Sequence, residues 1–354
     1  MLWRTRVGIG FSSFSVAAGR TYTMGNAGKA ANEDTVFCFD SATGREIWRH
    51  TYTEDLAAKF YEGGPSATPT VAEGRVYTLG KSGRLLCLDA ADGSVIWNKF
   101  LPNEIRAEIG QLAEQPTWGF ASSVLVHKDR LFVNVGTYGT ALDKAGNIIW
   151  TTGSAAAGYS TPVPFVMRGQ PGLALFAAQE AVALDPDTGK PLWSYPWKTS
   201  YDVNAADPII SGDLVFISSG YNVGASTLSI NRSQATPLWR SRAMRNQFNS
   251  AVLIDGHIYG VDENQLRCLD LKTGDVKWTD RTVGKGSLMA ADGRLIVLSE
   301  RGELMVAPAT PAAFNPTARA QILGGRCWTT PILSHGRIVA RNAAGDLVSV
   351  DVSR

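Results

Sequence analysis

Four cysteines, four histidines and one acid-rich turn are the parts of this 354-residue chain whose types could support redox, metal or nucleophilic chemistry. Cys38, Cys87 and Cys268 each stand two residues before an aspartate, at Asp40, Asp89 and Asp270, and each follows an apolar run. The same slot in three separate units is expected to hold thiols farther apart than the roughly 4 to 7 Å of Cα separation that a disulfide spans, so they read as small buried hydrophobes. Cys327 adjoins Trp328 with no histidine near it in sequence, and reads as a packing residue too. His50, His127, His257 and His335 fall on or near turns or the end of an outer strand, without the close spacing that a metal site requires. Asp185-Pro186-Asp187-Thr188-Gly189 resembles the opening of a calcium loop but lacks the downstream glutamate at the required offset. Gly8-Ile9-Gly10 leads into neither a helix nor a phosphate-loop lysine. No catalytic residue and no metal ligand is expected.

The elements that carry these residues are announced by a recurring phrase. Asp40, Gly44 and Trp48 reappear with the same spacing as Asp89, Gly93, Trp97, as Asp185, Gly189, Trp193 and as Asp270, Gly274, Trp278. Degenerate copies at Asp143, Gly146, Trp150 and at Asn231 to Trp239 complete a series of tryptophans 39 to 53 residues apart. A period of roughly 40 to 50 residues is that of a four-stranded propeller blade. The runs before the aspartate (Val36 to Phe39, Leu85 to Leu88, Leu266 to Leu269) read as strands. The aspartate can accept turn N–H groups, glycine supplies a positive φ, and tryptophan lies on the returning strand.

A second phrase, often Gly-Arg or Gly-His before strand formers, marks another hairpin per unit. It occurs at Gly19-Arg20, Gly74-Arg75, Gly256-His257, Gly293-Arg294 and Gly336-Arg337, with variants at Asp129-Arg130 and Asp213-Leu214 and an expanded turn expected at Gly169 to Leu173. Two hairpins make four strands, and the count reaches eight units. The fold predicted is all-β: an eight-bladed β-propeller of four-stranded antiparallel blades in one domain, 1–354. The blades are expected near 8–50, 66–99, 119–152, 160–195, 204–241, 248–280, 286–321 and 328–354. The last unit has only three strands of its own, and residues 1–6, with Trp3, are expected to supply the fourth and close the ring. Trp3, Trp48, Trp97, Trp150, Trp193, Trp239 and Trp278 are the expected structural wedges between blades. In the seventh unit, Pro308 to Ala320 reads as a Pro/Ala-rich turn with a weak outer strand.

Composition agrees with a closed β domain. Thirty-six glycines and ten tryptophans suit many tight turns with aromatic wedges, and no apolar run approaches the roughly 18 residues of a membrane-spanning helix. A net charge of +2, with scattered Lys and Arg, disfavours a nucleic-acid partner.

The phrase is fullest in Ala183-Leu184-Asp185-Pro186-Asp187-Thr188-Gly189-Lys190-Pro191-Leu192-Trp193. It resembles the repeat of pyrroloquinoline-quinone (PQQ)-like propellers, a likeness that covers nearly the whole chain. Two groups carry that repeat: quinoprotein dehydrogenases, and non-enzymatic scaffolds similar to BamB of the outer-membrane assembly machinery. The dehydrogenases place adjacent cysteines over a quinone bridged by calcium, and this chain has no Cys-Cys pair and no Cys-x-x-Cys-His. No cofactor is therefore expected, with PQQ and calcium as the alternative, and the resemblance implies a non-catalytic binding or scaffold module that engages a protein or small ligand through one face as a monomer. The alternative is a small enzyme or sensor holding a quinone or carbohydrate at the channel mouth. The resemblance implies a periplasmic or exported protein, although the sequence shows no signal peptide, and a chain that starts on the closing strand is expected to be part of a longer gene product.

The innermost strands of a propeller line its central channel, and here they are expected to begin at Ser12, Ala67, Ala121, Ser160, Asn204, Asn249, Gly286 and Trp328. Bulky and charged groups cluster at or just before these starts. Lys59, Tyr61, Glu62, Trp118, Tyr159, Tyr201, Asp202, Arg245, Phe248, Lys285, Arg326 and Trp328 are the candidate rim for a ligand or partner. The connections after Trp48 and Trp97 are the longest, and the second carries an amphipathic helical pattern at Ile105, Ile109 and Leu112.

Overall fold

The computed structural model describes residues 1–353 and shows eight antiparallel sheets of four strands each, arranged as an eight-bladed β-propeller. Seven blades are built from consecutive strands. The eighth takes Trp3–Arg6 as its outer strand, paired through Trp3↔Ser349 and Arg6↔Asp346 onto Asp346–Asp351. Closure is also made from within: Arg341 is fully buried and donates to the carbonyls of Met24 (2.6 Å), Gly8 (2.9 Å) and Ser12 (3.2 Å), tying the last blade to the first. The core lies between blades. Tyr77, Leu79, Leu85 and Cys87 of the second, for example, pack with Leu131, Val133 and Leu142 of the third.

The repeated phrase is an interlock. Asp40 Oδ1 accepts from the N–H groups of Ala42 and Thr43, and Gly44 turns the chain at φ 72°. A Cβ on that glycine would lie 2.6 Å from the Trp3 ring, so the absent side chain is the seat of the preceding blade's tryptophan. Gly93 seats Trp48, Gly146 seats Trp97, Gly189 seats Trp150 and Gly274 seats Trp239 in the same way. Each seated indole donates to a carbonyl of the turn it covers: Trp3 to Ser41, Trp48 to Ala90, Trp97 to Lys144, Trp150 to Pro186 and Trp239 to Leu271. The arginine of the second phrase reaches the same acceptor in four cases: Arg337 to Ser41, Arg20 to Ala90, Arg75 to Lys144 and Arg130 to Pro186. Trp278 donates to the Thr310 carbonyl without a glycine seat, and Trp193 has neither seat nor acceptor. The next blade's turn at Asn231 to Gln234 joins its strands by two residues and has no glycine, and the buried Trp193 indole N–H has no acceptor.

Three expectations need correction. The fourth blade's inner hairpin has no expanded turn: Arg168-Gly169 is a two-residue turn with both φ positive, and the extra length lies in strands Val163–Met167 and Gln170–Phe176. The innermost strands begin one to five residues later than expected, at Ser15, Thr70, Leu125, Val163, Ile209, Val252, Ser287 and Ile332. The residues just before most of them bond sideways to the next blade instead of along a ladder. In the connection after Trp97 the helix is Leu101–Ile109, which buries Leu101, Pro102 and Ile105 but leaves Ile109 and Leu112 exposed. The weak outer strand of the seventh blade is Ala318–Gln321, exposed throughout.

Candidate functional site

Two residues before the innermost strand, seven blades carry a short side chain ending in oxygen: Ser13, Thr68, Ser123, Thr161, Asp207, Ser250 and Thr330. In five of them the backbone N–H donates to the side chain on the next blade, from Ser13 to Thr68 (3.2 Å), Thr68 to Ser123 (3.0 Å), Ser123 to Thr161 (3.1 Å), Thr161 to Asp207 (2.7 Å) and Asp207 to Ser250 (2.9 Å). This belt satisfies the backbone where the strands have not begun. It forms the waist of a central cavity of about 580 Å³. At the seventh blade the wall turns apolar with Leu288 and Met289.

Aromatic rings stand at the mouth in two groups, bridged by neighbouring residues of the connection after Trp48. Tyr61 lies 5.6 Å from Phe11 and 5.9 Å from both Phe248 and Trp328, which stack on each other at 4.9 Å. Phe60 turns the other way, toward Trp118, whose ring also meets Tyr159 and Tyr201, with Tyr221 beyond. Cations flank the first group: Lys285 lies over Phe248 and Trp328, and Arg326 lies 4.4 Å over Trp328 while pairing with Glu62. Lys59 donates to the carbonyl of Thr117, tying the two long connections together. Burial pushes the Tyr159 phenol up to about 12 and Tyr61 higher still, so both stay protonated near neutrality.

Of the twelve candidate rim residues, Tyr61, Trp118, Tyr159, Phe248 and Trp328 line this cavity together. Lys59, Glu62, Tyr201, Lys285 and Arg326 brace these rings or the connections that carry them. Arg245 is engaged elsewhere, held by Asp262 at 2.6 Å and Glu263 at 3.2 Å, and Asp202 occupies a turn at φ 54° outside the wall. Sequence reasoning missed Phe11, Tyr221, Lys81 and Asp207. The Thr-Pro, Asp-Pro and Ser-x steps ahead of seven inner strands held the belt's signal, because they place an oxygen at one fixed offset.

Asp207 is the belt's one carboxylate, and burial raises it to about 6. The native state therefore keeps a proton that the unfolded chain gives up near the ordinary 3.8, and stability present below about pH 4 is lost as pH rises through 6. Asp207→Asn keeps an acceptor for Thr161 and should remove on the order of 2–3 kcal/mol of that dependence. Urea unfolding at a series of pH values between 4 and 7 checks this, and an unchanged slope would refute the assignment. Asp34, raised to about 7 by burial, supplies the slope that should persist in the variant.

The donor set does not fit a calcium-bridged quinone. Among the described residues, Asp207 is the only carboxylate in the cavity wall, one of its oxygens is taken by Thr161, and no group of three His, Cys, Asp or Glu able to hold a metal occurs. All four cysteines are buried and unpaired, with burial holding Cys268 up at about 11 and Cys327 at about 12, far from reactive thiolates.

Comparison with known proteins bears on this geometry. The chain is 24% identical to the outer membrane protein assembly factor BamB of Xanthomonas campestris pv. campestris, over 86% of its own length and 84% of that protein's. It is 26% identical to a quinoprotein ethanol dehydrogenase of Pseudomonas aeruginosa, but over 52% of this chain and 30% of the enzyme. Its fold superposes on the crystal structure of BamB from Moraxella catarrhalis with a TM-score of 0.66, covering 99% of this chain and 98% of that one at 14% identity. No helix among the described residues is long and apolar enough to cross a membrane. The sequence profile described as "Outer membrane protein assembly factor BamB" matches residues 32–280, and the chain belongs to that family of PQQ-like β-propellers.

Proposed function

We propose that this propeller is a non-catalytic scaffold of the periplasmic side of the cell envelope, working as a monomer that presents the face with the channel mouth to a protein partner in outer-membrane protein assembly. The family match over residues 32–280 carries this reading. The geometry supports it. The two longest connections meet at the mouth and expose Phe60 (84%) and Leu112 (52%), and the connection after Trp193 adds Tyr201 (59%), on the face that a docking protein would cover. The Lys59 bond to the Thr117 carbonyl ties the two connections to each other at that face.

A photoreactive phenylalanine analogue in place of Phe60, in the native host, should form an adduct with a component of the outer-membrane assembly apparatus. The same probe at Val276, on the outer edge of a blade, should not. Deleting the gene should lower the steady-state level of outer-membrane barrel proteins. Unchanged barrel proteins, or equal crosslinking at both positions, would overturn the reading.

A further inference from the structure

Lys81 is a largely buried charge whose ammonium has no partner among the described residues. It lies in the turn Gly80 to Gly83 between two strands of the second blade, is 4% exposed and lines the central cavity. Its backbone carbonyl is well used, accepting from Phe120 N–H (2.9 Å) and from the Gln115 amide (2.8 Å). Its ammonium, with three donors to place, has no hydrogen bond or ion pair to any described residue. Its stem is buried and its ammonium opens only onto the cavity, so the charge has lost most of its water without gaining a protein partner. The carboxylates that feel its charge, Asp34, Glu54 and Asp55, stand outside the cavity wall, with Lys59 the nearby cation. Glu54 is engaged by Ser82 Oγ at 2.7 Å and Asp34 by the Asn26 amide at 2.7 Å. A Cβ on Gly119 would lie 2.8 Å from Lys81 Cβ, so the stem is clamped by the very connection that carries Trp118. The Trp118 indole N–H is itself buried without an acceptor.

We infer that the central cavity is a binding site for a small organic anion, whose acid group meets the Lys81 ammonium and whose flat body lies against the rings of Trp118 and Tyr159. A carboxylate supplies the acceptors that this corner lacks, and the hydroxyl belt below offers Ser123 and Thr161 for polar substituents. The inference rests on the cavity alone, so its failure leaves the scaffold reading untouched.

The test uses 2-naphthoate and its neutral isostere 2-naphthamide as probes in calorimetric titration of the intact chain. The acid should bind one-to-one and at least about tenfold more tightly than the amide. Lys81→Met should erase that difference without lowering the melting temperature, because it removes an unpaired buried charge, and Lys81→Arg should restore part of it. The wild type gives a readout free of any folding question. Burial lowers the Lys81 ammonium to about 8, so acid binding should weaken as pH rises through that value while amide binding holds. Ionisation of Asp207 near 6 and of Asp34 near 7 acts in the same direction, and the Asp207→Asn/Asp34→Asn background isolates the Lys81 step. Absence of saturable acid binding, a preference that survives Lys81→Met, or a flat pH profile would each overturn the assignment.

Discussion

Removing residues 1–6 should lower the melting temperature by about 10 °C or more and shift the protein toward aggregates in size-exclusion chromatography. The deletion strips the outer strand from the eighth blade and exposes the unpaired edge of Asp346–Asp351. It also removes Trp3, which is 8% exposed and packs with Phe37, Phe39, Val339 and Leu347 across the junction of the last and first blades. Losing a buried tryptophan alone costs about 3–5 kcal/mol, and the strand pairing adds to that. Arg341 would still hold the inner side of the junction through Gly8, Ser12 and Met24, so the ring should loosen from its rim inward. A truncation that melts and elutes as the full chain does would show that the outer strand contributes nothing to closure.

Trp193→Ala should destabilise the protein by about 3–5 kcal/mol, read from chemical unfolding. The ring is 4% exposed and packs with Phe176, Val215 and Leu228 between the fourth and fifth blades. Its neighbours make a sharper test possible. Trp48 donates to Ala90 at 3.1 Å, whereas the Trp193 indole N–H has no acceptor. Trp48→Phe should therefore lose about 1 kcal/mol of hydrogen bonding in addition to shape, while Trp193→Phe loses shape only and relieves an unsatisfied donor. If the two phenylalanine variants are equally destabilised, the turn carbonyl is not what holds the wedge.

The blades were legible in the sequence because each repeats a local chemical solution. Asp40, Gly44 and Trp48 state a turn, a bulge and a wedge within nine residues, and a period of such phrases implies a ring. The wedge's partner was not legible, since Gly93 seats the tryptophan of the blade before it and the contact crosses 45 residues. The mouth was legible in part. Tyr61, Trp118, Tyr159, Phe248 and Trp328 are large groups ahead of inner strands, and the topology brings that segment of every blade to the same place. Arg245 has the same sequence position as these yet turns to Asp262, because a carboxylate at the neighbouring strand's end outbids an aromatic rim. Lys81 in Gly80-Lys81-Ser82-Gly83 reads locally as a solvated turn residue, and its burial is imposed by Gly119 and Phe120 of the next connection.

The belt around the channel has a consequence for recognition. An eightfold ring with identical units would offer any guest eight equivalent seatings, and choosing one of eight costs about 1.2 kcal/mol of orientational freedom with no contact to compensate it. Here the degeneracy is already lifted. One station is a carboxylate, another is the apolar step at Leu288 and Met289, and a lone cation stands above a third. The five N–H links of the belt also run one way round, from the first blade through to the sixth, so clockwise and anticlockwise differ to a guest that both donates and accepts. A fold built on repetition thus gives its centre a single compass bearing.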